Sequence, residues 1–81
     1  MVKAVVLIST EVGKEDETLK ALEEIPEIRR AYFVYGVYDI VALIEGKNLD
    51  DIRSIVVNKI RRLTTVRSTV TMVVVKGFEK D

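Results

Sequence analysis

Apolar residues in this 81-residue chain recur first at a spacing of two, then of three to four, then of two twice, then of three to four, then of two. Few folds fit that order into so short a chain. From Val2 to Ser9 the residues are aliphatic and mostly β-branched, with Val2, Ala4, Val6 and Ile8 alternating with Lys3, Val5, Leu7 and Ser9 as in a strand. Gly13 and the charged stretch Lys14 to Glu17 lead into Leu19, Leu22 and Ile25 at helical spacing. Pro26 ends that helix, because the residue before proline disfavours the α region. Ile28 to Tyr35 and Tyr38 to Glu45 then read as two strands of a hairpin turned at Gly36. Asn48 is placed to cap a second helix carrying Leu49, Ile52, Val56, Ile60 and Leu63. Asp50 and Asp51 at its start and Arg61 and Arg62 at its end complement the helix dipole. Val66 to Lys76 returns to strand composition before the charged tail Glu79, Lys80, Asp81.

The order β-α-β-β-α-β is the split βαβ arrangement, and right-handed crossovers close it into one four-stranded antiparallel sheet. The expectation is a ferredoxin-like α+β fold, one domain over residues 1–81, with both helices on one face. Two helices cover one side of such a sheet, so a monomer should be polar on the other. It is not: alongside the even positions of the strands, the odd positions Val5, Leu7, Val41, Leu43, Val73 and Val75 are also apolar. Even-numbered Val70, Met72 and Val74 are grouped here with the even set. At roughly 25 cal/mol per Å², covering six aliphatic side chains is worth several kcal/mol. A homodimer closed through the sheet faces is expected, with Lys3, Ser9, Arg67, Thr69 and Thr71 as polar interruptions.

Composition removes much chemistry. The chain has neither His nor Cys, so it lacks the commonest general base, thiolate metal sites, disulfides and a cysteine nucleophile. No catalytic residue, metal site or cofactor is expected. Thirteen basic and thirteen acidic side chains cancel, leaving no net field to attract nucleic acid or an anionic membrane. The apolar run Ala4 to Ile8 is too short for a signal peptide, which makes a cytoplasmic address the expectation. No Gln and two Asn beside many Glu, Lys and Arg match the composition of thermophile proteins.

One series of residues is more specific. Tyr35-Gly36-Val37-Tyr38-Asp39-Ile40-Val41 is preceded by Ile25-Pro26-Glu27-Ile28 and followed by Asn48-Leu49-Asp50-Asp51-Ile52 and Val66-Arg67-Ser68-Thr69-Val70-Thr71. In order and spacing this resembles the effector-binding (RAM) domain of the Lrp/AsnC, or feast/famine, transcription regulators, with their G-x-Y-D turn and V-x-x-T-x-T last strand. The resemblance spans nearly the whole chain, which starts where the module's first strand starts, without the helix-turn-helix domain that precedes it in full-length members. It implies a stand-alone member whose dimers assemble into octamers or decamers and bind an amino-acid effector between them, with a full-length Lrp/AsnC regulator as a further partner. Carried over by position, the ligand-binding residues are Gly36, Tyr38 and Asp39 at the hairpin and Thr69 and Thr71 on the last strand. Glycine permits close backbone approach, a carboxylate pairs with an α-ammonium, and threonine hydroxyls donate and accept. Without the resemblance, Gly36 equally suits a plain turn, Asp39 a turn cap or an arginine partner, and the threonines ordinary strand positions.

Other readings of the fold stay open at this stage. Small dimeric α+β-barrel enzymes share it, and would have to use Asp39, a tyrosine or a lysine as acid or base. ACT domains also share it and sense amino acids at a glycine near the first strand-to-helix turn, where this chain has Gly13. The stretch Arg29 to Tyr38 mixes basic and aromatic residues as RNA-recognition sheets do, but its aromatics miss the central first strand. Lys59, Arg61, Arg62 and Arg67 cluster in sequence, which a solvated helix end explains better than a DNA-binding patch.

Overall fold

The computed structural model describes residues 1–80; Asp81, the last residue of the charged tail, lies outside them. The elements are β1 (Val2–Thr10), α1 (Glu15–Glu23), β2 (Ile28–Phe33), β3 (Ile40–Gly46), α2 (Leu49–Ile55) and β4 (Val66–Val73). A π-helical turn over Val56–Ile60 continues α2. The strands form one antiparallel sheet in the order β2-β3-β1-β4, so the first and third strands are central, as in the ferredoxin-like fold.

Burial follows the alternation within each strand. Ala4, Val6 and Ile8 pair with Ile44, Ala42 and Ile40, and all six are fully buried beneath the helices. Leu22 of α1 and Ile52, Ile55, Val56 and Ile60 of the second helical segment close that core. A second set, Val5 opposite Leu43 and Leu7 opposite Val41, lies on the uncovered face and is only half-buried.

The edge strand β4 departs from the expectation. Leu7 pairs with Val70 and Val5 with Met72, whereas Val6 pairs with Thr71 and Ile8 with Thr69. Directly opposed residues of an antiparallel pair share a face. Val70 and Met72 therefore belong to the uncovered face, and Thr69, Thr71 and Val73 to the helix side, the reverse of the grouping read from position numbers. Number parity carries phase only within one strand; the connection from the second helix to β4 resets it. The uncovered face still presents Val5, Leu7, Val41, Leu43, Val70 and Met72, with the Tyr32 ring opposite Val41.

Local signals explain the element ends. Asn48 Oδ1 accepts the Asp51 backbone N–H at 2.8 Å and Asp51 Oδ2 accepts that of Lys47 at 2.8 Å, a reciprocal cap on α2. The helical segment ends at Ile60, so Arg61 sits at its C-terminal boundary and Arg62 beyond it. Gly46 is close-packed against this start, since a Cβ there would meet Asp51 Oδ2 at 3.0 Å and Ile52 Cδ1 at 3.2 Å. Thr18, fully buried on α1, donates to the Lys14 carbonyl at 2.7 Å, and its oxygen lies 2.6 Å from Thr65 Oγ1. That contact ties α1 to the segment entering β4.

Candidate ligand-binding site

The hairpin turn expected at Gly36 is a six-residue connection, residues 34–39, between Phe33 and Ile40. Gly13 is the one positive-φ residue among those described, so Gly36 is not held in the left-handed region, and a Cβ at Gly36 would meet nothing within 4 Å. The turn is made instead by hydrogen bonds at the neck of the connection. The Val34 N–H donates to the Asp39 carbonyl at 2.8 Å, and the Asp39 N–H donates to the Ile8 carbonyl at 3.0 Å. Tyr35, Gly36 and Val37 project into solvent, while Tyr38 and Asp39 are half-buried.

Asp39 is fixed to the end of β1. Its Oδ2 accepts the Thr10 backbone N–H at 2.8 Å and lies 3.4 Å from the Thr10 hydroxyl. Thr10 stands where β1 slips register against β4, which leaves its N–H in need of a partner outside the strand pairing. Asp39 supplies it. Both contacts fall on Oδ2, and among the described residues Oδ1 takes no hydrogen bond. Around the carboxylate, Ser9, Thr10, Val12, Arg67 and Ser68 line an open cleft of about 490 Å³. Ser9 pairs with Ser68, on the same face as Leu7 and Val70, so this cleft opens at the end of the uncovered face.

Thr69 and Thr71 lie on the other side of the sheet. With Leu49, Ile52, Arg53 and Arg61 they line a separate groove of about 430 Å³ between β4 and the second helical segment. One copy of the chain thus brings Gly36, Tyr38 and Asp39 together on one connection and keeps Thr69 and Thr71 apart from them. The residues that the sequence did not single out for this site are Thr10, Arg67 and Ser68. Only the register slip at Thr10 and the β1–β4 pairing bring them to Asp39, and neither leaves a local signal.

The basic cluster also separates. Lys59 is paired with Glu27 at 2.7 Å, Arg61 lines the helix-side groove, and Arg67 lines the Asp39 cleft. The Lys59 ammonium beside Glu27 holds that carboxyl below its ordinary value. Gly13, the position an ACT-like site would use, has φ of 82° in a turn whose Lys14 N–H donates to the Glu11 carbonyl at 3.0 Å. A left-handed residue there is reason enough for glycine. Among the described residues no group of three or more metal-ligating side chains gathers, and no helix is long and apolar enough to cross a membrane.

The family model of the Lrp/AsnC ligand binding domain matches residues 3–81, which places the chain in the class of small α+β ligand-binding domains. Over 66 residues it is 30% identical to the uncharacterized HTH-type transcriptional regulator YugG of Bacillus subtilis, a match covering 82% of this chain and 40% of YugG. The structure of FFRP-DM1 superposes with a TM-score of 0.88 at 37% identity, over 93% of this chain and all of that one. The feast or famine regulatory protein Rv3291c of M. tuberculosis, solved in complex with L-methionine, has the same fold, with a TM-score of 0.85 at 24% identity over the whole of this chain and 54% of that one. The chain belongs to the Lrp/AsnC family, as its ligand-binding domain. It spans about 40% of the length of the curated relatives it matches, which are transcription regulators.

Proposed function

We propose that this domain is a non-catalytic sensor that binds an amino acid and acts as a homodimer closed through the uncovered sheet face. The observation that carries the reading is the placement of Asp39 and Arg67 in one cleft. An α-amino acid carries an ammonium and a carboxylate on one carbon. A fixed carboxylate with an uncommitted oxygen takes the first, and a guanidinium on the same cleft takes the second in two-pronged geometry. Serine and threonine hydroxyls on the rim supply the remaining donors and acceptors. The L-methionine complex of Rv3291c, a protein of the same fold, supports the ligand class.

Val5, Leu7, Val41, Leu43, Val70 and Met72 form the contact between the two copies. Thr69 and Thr71 face away from that contact, so they reach a ligand only where a second dimer presents its helix-side groove; dimers then build rings of eight or ten chains around inter-dimer sites. A regulatory role follows through association with a full-length Lrp/AsnC regulator, which would supply the DNA contacts.

The test is a thermal-shift screen against the twenty amino acids, with light scattering of the chain with and without the best binder. At about 100 times its dissociation constant a ligand adds roughly 2.7 kcal/mol, a shift of several degrees in a domain this small. Asp39→Asn should keep the Thr10 cap and abolish the shift. A screen without a binder, or a binder whose shift survives Asp39→Asn and Arg67→Ala, removes the site; a stable monomer removes the dimer.

A further inference from the structure

The segment after β4 takes a path that one copy of the chain does not explain. Val74 extends the pairing by one residue, its N–H donating to the Lys3 carbonyl at 2.9 Å. The chain then turns back over the uncovered face. Glu79 reaches Lys3 Nζ at 3.4 Å and Arg30 Nη2 at 4.0 Å, spanning from β1 past β3 to β2. Arg30 pairs directly with Leu43 and Lys3 stands two residues before Val5, so both lie on that face.

This strap is poorly seated. Val75 is 96% and Phe78 84% exposed, so both of its large apolar side chains after Val74 face water. A cleft of about 610 Å³ lies between the strap and Val2, Lys3 and Leu43. Beyond Val74, and among the described residues, exposed ion pairs tie it across the face, and such pairs are each worth at most about 1 kcal/mol. It also lies between the two sheets of the proposed dimer, at their Lys3 and Arg30 end.

We infer that the C-terminal arm, Val75 to Glu79, crosses to the second copy of this chain, where Glu79 meets that copy's Lys3 and Arg30 and Phe78 packs against its sheet. Exchange of an identical element keeps the Glu79 ion pairs but makes them contacts between the two copies, so the arm adds to the dimer in place of closing on its own chain. Area points the same way. Four strands about 4.8 Å apart and seven residues long project a plane of about 450 Å², a small footprint for a dimer in which each partner gives roughly 800 Å² of accessible surface. Two symmetry-related arms supply further area, and the apolar part of it is Val75 and Phe78.

This inference rests on the sheet-to-sheet dimer, and charge swapping separates the two. Glu79→Lys and the double variant Lys3→Glu/Arg30→Glu each repel within one chain and in a like pair. Only when mixed, and only if arms are exchanged, does each arm meet an opposite charge. The expected result, by native mass spectrometry at low salt, is that each variant alone dimerises about tenfold more weakly than wild type and that the mixture forms mainly the mixed dimer. Phe78→Ser, at an exposed position that the fold does not need, should weaken the wild-type dimer in the same direction. A dimeric wild type whose variants mix only statistically, or which is unaffected by Phe78→Ser, leaves the dimer standing and overturns the exchange. A monomeric wild type overturns both.

Discussion

Asp39 Oδ2 accepts the backbone N–H of Thr10 at 2.8 Å, joining the connection before β3 to the point where β1 slips against β4. The side chain with the best claim to a ligand is also part of the scaffold. Asparagine can keep this bond through its own carbonyl oxygen, whereas alanine leaves the Thr10 N–H of a buried residue unpaired. Asp39→Ala should therefore cost about 1–2 kcal/mol and lower Tm by several degrees, with Asp39→Asn costing clearly less. Thermal melts of the two variants check this; equal losses would mean that charge, and not the cap, carries the interaction.

Thr18 and Thr65 share a 2.6 Å hydrogen bond between buried hydroxyls. Replacing either one by valine leaves the other hydroxyl short of a partner, at about 1–3 kcal/mol, while replacing both removes the polar pair together. Chemical denaturation of the two single variants and the double should show the double costing less than the sum of the singles. Additive losses would mean that the hydroxyls are not coupled.

Glu27 and Lys59 make the pH-dependent contact. The folded-state pKa of Glu27 lies below its ordinary value of 4.5, so the ionised form is favoured by folding. Its stabilisation is complete above the unfolded value and is lost as pH falls through the lower folded value. Melting curves of wild type and Glu27→Gln should differ above about pH 4.5 and converge in stronger acid, the difference staying under about 1 kcal/mol because both side chains are partly exposed. A difference that persists unchanged into acid would assign it to packing.

Gly13 sits at φ of 82°, where a side chain is strained whatever space surrounds it. Gly13→Ala should cost about 1–2 kcal/mol without altering the affinity for an amino acid that stabilises the wild type. Loss of binding with little loss of stability would move the ligand site to the first strand-to-helix turn.

The fold was legible because its signals are local. Alternation in β1 and β3 and the Asn48 cap each act within a few residues and appear where expected, whereas α1 stops at Glu23, short of the Pro26 expected to end it and leaving Ile25 outside. What failed was phase between segments. Thr69 and Thr71 changed faces, and Val70 and Met72 took the places expected for Val73 and Val75, because pairing register depends on the length of an irregular connection. Gly36 misled for a related reason: a glycine between two apolar runs suggests a tight turn, yet the neck bonds of Val34 and Asp39 close a wider one. The Asp39 cleft was half visible. Its carboxylate stood out through a motif, while Arg67 and Ser68 arrive from a strand nearly thirty residues away. The π-helical turn left no trace, since Val56, Ile60 and Leu63 are spaced as any α-helix would space them.

That turn, closed by the Arg61 N–H on the Val56 carbonyl at 2.8 Å, puts one more residue into a revolution than an α-helix holds. Everything after it is carried round the axis by about 100° relative to an uninterrupted helix. The wider turn therefore behaves like a one-tooth offset in a gear train: Ile52, Val56 and Ile60 already share the core side at four-residue spacing, and the offset resets the directions in which Arg61 and Leu63 leave it, one to the helix-side groove and the other to the core. Removing a single residue between Val56 and Ile60 would straighten the helix and pull these engagements out of step with each other.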